Sequence, residues 1–77
     1  MKIRVYAALK DYFEKEFEIE EPVQSIEELN TILLQRNPEA GNIISISRFA
    51  VNDSFLDNQF QLQPNDSIHI IPPSSGG

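Results

Sequence analysis

Side chains that could act as catalysts are few in this sequence of 77 residues. His69 is the single histidine, and it lies in the middle of a strand-like segment, where a histidine is usually a surface or half-buried residue. Glu16, Glu18 and Glu20 alternate along another such segment, so their carboxylates share one strand face that solvent normally covers. No group of His, Asp and Glu has metal-site spacing, and the absence of cysteine excludes thiol nucleophiles and disulfides. The sequence therefore predicts a domain with no active site or metal site of its own.

The C-terminal segment offers a reactive group of a different kind. Ser74 and Ser75 have no adjacent base that would turn a hydroxyl into a nucleophile, and Gly76 and Gly77 follow them. Glycine has no Cβ, so this end can pass through a narrow tunnel in another protein. If ATP converted the terminal carboxylate of Gly77 into an acyl-adenylate, a sulfur nucleophile could attack it and leave a thiocarboxylate, which needs no cysteine. The alternative is an ordinary frayed terminus.

Charge and hydropathy restrict the classes of partner. The net charge is −6, and seven of the twelve acidic residues fall between Glu14 and Glu28. Phosphate backbones repel a chain with this balance, so we expect no nucleic-acid partner. The acidic stretch either attracts a basic partner or is a solvated face. No apolar run approaches the roughly 20 residues of a membrane span, and Met1-Lys2 leads directly into a strand pattern. We therefore expect no signal peptide, no membrane partner and a cytoplasmic location.

Alternating apolar residues predict the strands that carry these groups. Turn residues separate some of these segments: Asp53-Ser54 comes before the short strand, and Pro64-Asn65-Asp66 comes before the last strand. The predicted strands are residues 2–7, 16–20, 48–52, a short strand near 55–56, and 67–71. Residues 10–15 are expected to form a turn with room for a short helical turn. Residues 40–47 fit either a loop or the approach to a strand.

One helix is predicted from its capping residues and apolar stripe. The Ser25 hydroxyl can accept a hydrogen bond from the backbone N–H of Glu28, and Glu28 can reach back, as in a capping box. Asn37-Pro38 ends the helix, because a residue before proline avoids the α region. The apolar stripe consists of Ile26, Leu29, Ile32 and Leu33.

The order of elements predicts an α+β fold. The predicted order is strand, strand, helix, strand, short strand and strand. This order is typical of the β-grasp (ubiquitin-like) arrangement, in which one main helix covers a mixed sheet of four to five strands. We assign residues 1–71 to this domain. Pro72 and Pro73 cannot continue a strand ladder, so residues 72–77 are predicted to be a flexible C-terminal tail ending in Gly-Gly.

Several short motifs resemble those of one family, the MoaD-like small subunits of molybdopterin synthase. The motifs are Tyr6-Ala7, Ala50-Val51-Asn52, Leu62-Gln63-Pro64-Asn65-Asp66, and Pro72-Pro73-Ser74-Ser75-Gly76-Gly77. The family typically ends in Pro-Pro-Val-Ser-Gly-Gly. This chain departs from the family at Asn65, which replaces a turn glycine, at Ser67, which replaces a glutamate, and at Ser74, which replaces the valine. The terminal glycines are intact.

The resemblance implies a role as a sulfur carrier. Gly77 would be adenylated by an activating enzyme that uses ATP, converted to a thiocarboxylate, and used to donate sulfur to cyclic pyranopterin monophosphate, forming the molybdopterin dithiolene. Gly76 would let the tail thread into the partner. The domain itself would bind no cofactor or metal. The catalytic side chains would belong to the large synthase subunit, with which the family forms a heterotetramer, so this chain would be a non-catalytic subunit.

A partner-binding surface is expected near the root of the tail. If Ile3, Val5 and Ala7 face the helix, then Tyr6 faces outward, and Ile71 does the same beside His69 on the last strand. The resemblance also implies that these positions contact the large subunit. The expected contact residues are Tyr6, Phe55, Ile71, Pro72, Pro73, Ser74 and Ser75. The alternative is ordinary sheet surface or, for Phe55, ordinary core.

Other functions remain compatible with the same ending. A sulfur carrier for thiamine synthesis or tRNA thiolation would share the chemistry, although thiamine-type carriers usually lack the Pro-Pro pair. A ubiquitin-like protein modifier would share it as far as the adenylate and then attach to lysines. A β-grasp interaction domain with an inert tail is a third possibility.

Overall fold

The computed structural model describes residues 1–73, in which five strands form one mixed sheet. The strands are β1 (Lys2–Val5), β2 (Glu16–Glu18), β3 (Arg48–Val51), β4 (Ser54–Phe55) and β5 (Ser67–Ile71). Their order across the sheet is β2-β1-β5-β3-β4. β1 and β5 pair in parallel, and the other pairs are antiparallel. The main helix, α1 (Ile26–Arg36), follows the β1–β2 pair in the chain and precedes β3, β4 and β5. The predicted β-grasp architecture is therefore confirmed.

The start and the buried face of α1 follow the predicted pattern. The Ser25 hydroxyl accepts a hydrogen bond from the Glu28 N–H at 3.1 Å. The Glu28 carboxylate accepts from the N–H of Gln24 at 2.8 Å, one residue earlier than the capping-box geometry predicts. Ile26, Leu29 and Leu33 are buried, and Ile32 is half-buried. The apolar stripe therefore holds the helix against one face of the sheet.

The core lies between α1 and the central strands. Its buried apolar side chains include Ile3, Val5, Ile19, Leu29, Leu33, Ile44, Phe49, Leu62, Ile68 and Ile70. The alternation of buried and less buried residues in β1 and β5 confirms that Ile68 and Ile70 face the core and that Ile71 does not. Because β1 and β5 are parallel neighbours, the C-terminal ends of both strands meet at the same edge of the sheet.

The prediction that Ala7 faces the helix is wrong. β1 ends at Val5, and Ala7 is exposed with a φ of 53°, a conformation that turns the chain out of the strand. A 3-10 helix then spans Ala7–Asp11, so the predicted turn does contain a helical turn, although it begins before Lys10. β2 is also shorter than predicted, because it ends at Glu18.

The ambiguous segment after α1 is helical. A 3-10 helix spans Pro38–Ala40, and a short helix, α2, spans Gly41–Ser45. The Asn37 side chain accepts a hydrogen bond from the Glu39 N–H at 3.1 Å, and Pro38 occupies the first helical position, where its missing N–H costs nothing. The expectation of a loop or strand here is therefore corrected.

A two-residue turn joins β3 to β4. Val51 pairs with Ser54, so the turn residues are Asn52 and Asp53 rather than the predicted Asp53-Ser54. Their φ values are 52° and 67°, which is the pattern of a type I′ hairpin turn. The tight turn places Phe55 directly opposite Ala50. Among residues 1–73, no helix is long and apolar enough to cross a membrane.

Candidate functional site

The face of the sheet opposite α1 carries the residues predicted to bind a partner. The register pairs Arg4 with His69 and Arg48 with Ile71. Tyr6 follows β1 at the end of the sheet where β5 also ends. Six residues line one shallow cavity of about 360 Å³ on this face, and we call them the sheet-face patch: Tyr6, Ala50, Asp53, Phe55, His69 and Ile71. The structure therefore brings together the three partner-binding residues predicted within strands or beside them, namely Tyr6, Phe55 and Ile71.

Tyr6 and His69 act as a pair in this patch. The Tyr6 hydroxyl and His69 Nδ1 are 2.7 Å apart and share a hydrogen bond, and the ring centroids lie 5.8 Å apart. Both residues are half-buried. His69 thus holds the Tyr6 ring against β5, a positioning role that the sequence did not reveal because the two residues are distant in the chain.

Phe55 lies on the edge strand of the sheet and is not part of the core. The residue is 52% exposed, although Leu56, the next residue, packs against the core. The Arg48 guanidinium carbon lies 3.8 Å from the centroid of the Phe55 ring. An aromatic ring this exposed and covered on one side by a cation is suited to contact another protein.

The described chain ends beside this patch. β5 ends at Ile71, which is half-buried, and the following Pro72 is buried while Pro73 is exposed. Pro72 is therefore packed on the domain, inside the segment predicted as the tail. The predicted contact residues Ser74 and Ser75, the threading residue Gly76 and the reactive Gly77 lie outside the described residues.

Electrostatically, the patch is bordered by cations. Arg48 stacks on Phe55, and the Arg4 guanidinium carbon lies 5.7 Å from the Tyr6 ring centroid. Neither arginine forms an ion pair with any of residues 1–73. Neither arginine was predicted from the sequence to be part of the site. The strand register shows their positions, because it places Arg4 beside His69 and Arg48 beside Ile71.

Outside the sheet-face patch, a site among the described residues would need a metal-binding cluster or another cavity. Within residues 1–73, no group of three or more His, Asp or Glu side chains is placed to hold a metal ion. A cavity of about 370 Å³ lies elsewhere, lined by Met1 and by residues 18–24 and 61–64. Half of its lining residues are apolar, the other half are glutamates and glutamines, and none is a histidine or carries a hydroxyl group. The sheet-face patch is thus better suited to binding than to chemistry.

Comparison with known proteins shows a family match, a named relative and a similar solved structure. Residues 3–77 match the profile of the ThiS family. The chain is 31% identical over 81 residues to the molybdopterin synthase sulfur carrier subunit of Dictyostelium discoideum, a match that covers 99% of this chain and 94% of the relative. Among solved structures, the complex of subunits 1 and 2 of the molybdopterin-converting factor from Helicobacter pylori 26695 contains a similar chain. That similarity has a TM-score of 0.71 at 27% identity and covers 99% of this chain and 96% of the other.

Proposed function

This chain belongs to the ThiS family, and from that premise we propose that it is the sulfur carrier subunit of a molybdopterin synthase. One observation carries the proposal: the family match extends over residues 3–77 and so includes the terminal Gly76 and Gly77. The Dictyostelium relative, which is named as such a carrier, aligns with 99% of this chain. The alternative carrier and modifier functions have no comparable support.

The chemistry takes place at the carboxylate of Gly77. An activating enzyme joins this carboxylate to the AMP portion of ATP and releases pyrophosphate. Sulfur at the oxidation level of hydrosulfide then displaces AMP, and the chain ends in a thiocarboxylate. The sulfur of this anion bonds to carbon of cyclic pyranopterin monophosphate, and water cleaves the acyl–sulfur bond and regenerates the Gly77 carboxylate. Two such transfers supply the two sulfurs of the dithiolene. No side chain of the β-grasp domain needs to change its covalent state.

The domain contributes binding and placement. The sheet-face patch lies beside Pro72 and Pro73, so a partner that covers Tyr6, Phe55 and Ile71 also controls where the following segment goes. In the Helicobacter pylori structure, the similar chain is part of a complex of subunits 1 and 2. We propose that the equivalent large subunit binds the sheet-face patch of this chain and receives its C-terminus.

Intact-mass spectrometry tests the proposal directly. The chain is incubated with ATP, the activating enzyme of its own organism and a sulfur source. We expect a mass gain equal to the replacement of one oxygen by sulfur, and no gain for a chain that lacks Gly77. Adding the large subunit and cyclic pyranopterin monophosphate then produces molybdopterin and returns the chain to its original mass.

Each other function gives a different outcome. Attachment of the chain to lysines of other proteins identifies a modifier. Sulfur transfer to a thiazole precursor or to tRNA, with none to the pyranopterin, identifies a carrier for another pathway. An unchanged mass with an active activating enzyme identifies an interaction domain and refutes the carrier role.

A further inference from the structure

The charges of this chain are unevenly distributed over its surface. The chain has a net charge of −6, and more than half of its acidic residues fall between Glu14 and Glu28, from just before β2 to the first turn of α1. On the outer face of the sheet, by contrast, Arg4 and Arg48 lie on opposite sides of the His69 and Ile71 positions. Two arginines thus flank the sheet-face patch of an acidic protein.

The carboxylates nearest to these arginines do not neutralise them. Glu16 is opposite Arg4 in the register, but its carboxylate is paired with Lys2 at 3.9 Å. Asp53 lines the same cavity as Phe55, yet it forms no ion pair with Arg48. Within residues 1–73, Arg36 is the only arginine in an ion pair, with Glu21 at 3.5 Å.

Stacking prepares Arg48 to bind an anion. Its guanidinium lies over the Phe55 ring at 3.8 Å, and stacking occupies the face of the group rather than its edges. The N–H donors point outward in the guanidinium plane, where they can form two parallel hydrogen bonds with a carboxylate. Because the ring already restricts the side chain, less rotamer entropy is lost on binding.

Arg4 shows a similar arrangement on the other side of the patch. Its guanidinium carbon is 5.7 Å from the centroid of the Tyr6 ring. Its Nε atom is fully shielded from solvent and has no hydrogen-bond partner in the described chain. The contact with a partner would therefore be made by the terminal N–H groups of Arg4 and not by Nε.

We propose that Arg48, held on Phe55, is a specificity-determining residue that binds a carboxylate of the large subunit, and that Arg4 provides a second such contact. The inference rests on the proposed function and adds the chemistry of the partner: an apolar surface for Tyr6, Phe55 and Ile71 with acidic side chains at its border. Arg48 is the register partner of Ile71, the last residue of β5, so the contact lies at the root of the C-terminal segment. It thereby fixes the direction in which this segment enters the partner.

Arg48→Gln and Arg36→Gln form a matched pair of variants. Each removes one positive charge and one arginine that lies over a phenylalanine ring, since Arg36 is 5.5 Å from the Phe17 ring centroid. Their net charges are equal, so long-range attraction changes similarly in both. Affinity for the large subunit from the same organism is measured by calorimetric titration. We expect Kd to rise about tenfold for Arg48→Gln, or about 1.4 kcal/mol, and to stay nearly constant for Arg36→Gln.

Salt dependence and a charge-preserving variant complete the test. Increasing salt should weaken the binding of the parent and of Arg36→Gln to the large subunit more than that of Arg48→Gln. The reason is that Arg48→Gln lacks the charged contact that salt screens. Arg48→Lys keeps the charge but not the flat stacking group, so its affinity should be intermediate and its salt dependence close to that of the parent. Thermal melts establish that each variant is folded, and if Arg48→Gln is not, Arg48→Lys alone decides.

Two results overturn the inference and are distinct from failure of the proposed function. If Arg48→Gln binds as tightly as the parent, with the same salt dependence, Arg48 makes no such contact. If both glutamine variants lose affinity equally, only general electrostatic attraction is involved. By contrast, a parent chain that fails to bind the large subunit, or that never gains sulfur, contradicts the proposed function itself.

Discussion

Individual residues of this chain have roles that their types alone do not show. His69 is the only histidine, and its Nδ1 shares a hydrogen bond with the hydroxyl of Tyr6, so it orients that ring. Phe55 is a large apolar residue on the surface. The sequence predicted Tyr6 and Ile71 as neighbours because strand alternation fixes which side chains share a face, and the turn before Phe55 and the family resemblance added Phe55. It did not predict Arg48 on Phe55, because that contact depends on the register of β3 against β4.

Ala7 is the residue at which sequence reasoning failed most clearly. The alternation of Ile3 and Val5 suggested that Ala7 continues the buried face, yet its φ of 53° makes it the residue where the chain leaves the strand. Left-handed backbone is costly for any residue with a Cβ. Alanine carries no signal for this conformation, unlike glycine or asparagine, so the bend could not be read from the sequence.

This strain leads to a prediction about a small, exposed side chain. Ala7→Val should destabilise the domain by about 2 kcal/mol, because a β-branched residue is poorly tolerated at positive φ. Ala7→Gly should be at least as stable as the parent. Chemical denaturation measures the free energy of unfolding of both variants.

Ala8 provides the control. It is exposed in the same 3-10 helix but has no positive φ, so Ala8→Val should cost only about 0.5 kcal/mol. Equal losses at the two positions would contradict the assignment of strain to Ala7.

Ile71 gives a second prediction at the residue scale. Ile71→Asp should weaken binding to the large subunit by more than about 1 kcal/mol, because it removes an apolar anchor from the sheet-face patch and offers Arg48 a carboxylate within the same chain. Calorimetric titration measures the affinity. Leu34→Asp is the control, since Leu34 is 39% exposed on α1, away from the patch. If the control loses as much affinity as Ile71→Asp, the sheet-face patch is not the interface.

At the scale of elements, the sequence predicted best where local signals agree. Ser25, the apolar stripe of α1 and Asn37-Pro38 all mark the same helix, and the structure places α1 between them. The segment after Pro38 was harder to assign because Ile43, Ile44 and Ile46 favour strands by propensity. Capping by Asn37 and burial of Ala40 and Ile44 outweigh that preference, as tertiary contacts commonly do.

The cap of α1 provides a test at this scale. Ser25→Ala should lower the free energy of unfolding by about 1 kcal/mol, because the N–H of Glu28 loses its acceptor at 3.1 Å. Thr31→Ala is the matched control. It also removes a hydroxyl from an exposed part of α1, but that hydroxyl donates to the Glu27 carbonyl within the helix, where alanine is the better residue. Urea denaturation should show a loss for Ser25→Ala only. A loss of similar size for Thr31→Ala would mean that the cap contributes no specific stability.

For the whole molecule, fold and proposed chemistry are assigned to different parts of the chain. The buried core and all five strands lie within residues 1–71, and Pro72 adds the last buried side chain of the described chain. The proposed reaction takes place at Gly77. The pattern of strands and helix was enough to predict the β-grasp domain, because binary patterning largely determines the fold class. The sheet-face patch, the proposed partner surface, was only partly predictable, since it is assembled from residues in or beside β1, β3, β4 and β5.

Deleting Gly77 separates these two parts of the chain. The deletion removes the proposed acyl donor but no residue of the core, of a helix cap or of a described turn. We therefore expect the free energy of unfolding to change by less than about 0.5 kcal/mol, while formation of molybdopterin is abolished. Binding to the large subunit should persist, because the sheet-face patch is intact.

Denaturation, calorimetric titration and product formation are measured on the same preparation, with the parent chain and Ile71→Asp beside it. The deletion should lose the reaction and keep binding, and Ile71→Asp should lose binding and keep Gly77. A deleted chain that still supports the reaction at the parent's rate would show that the sulfur is not carried on Gly77.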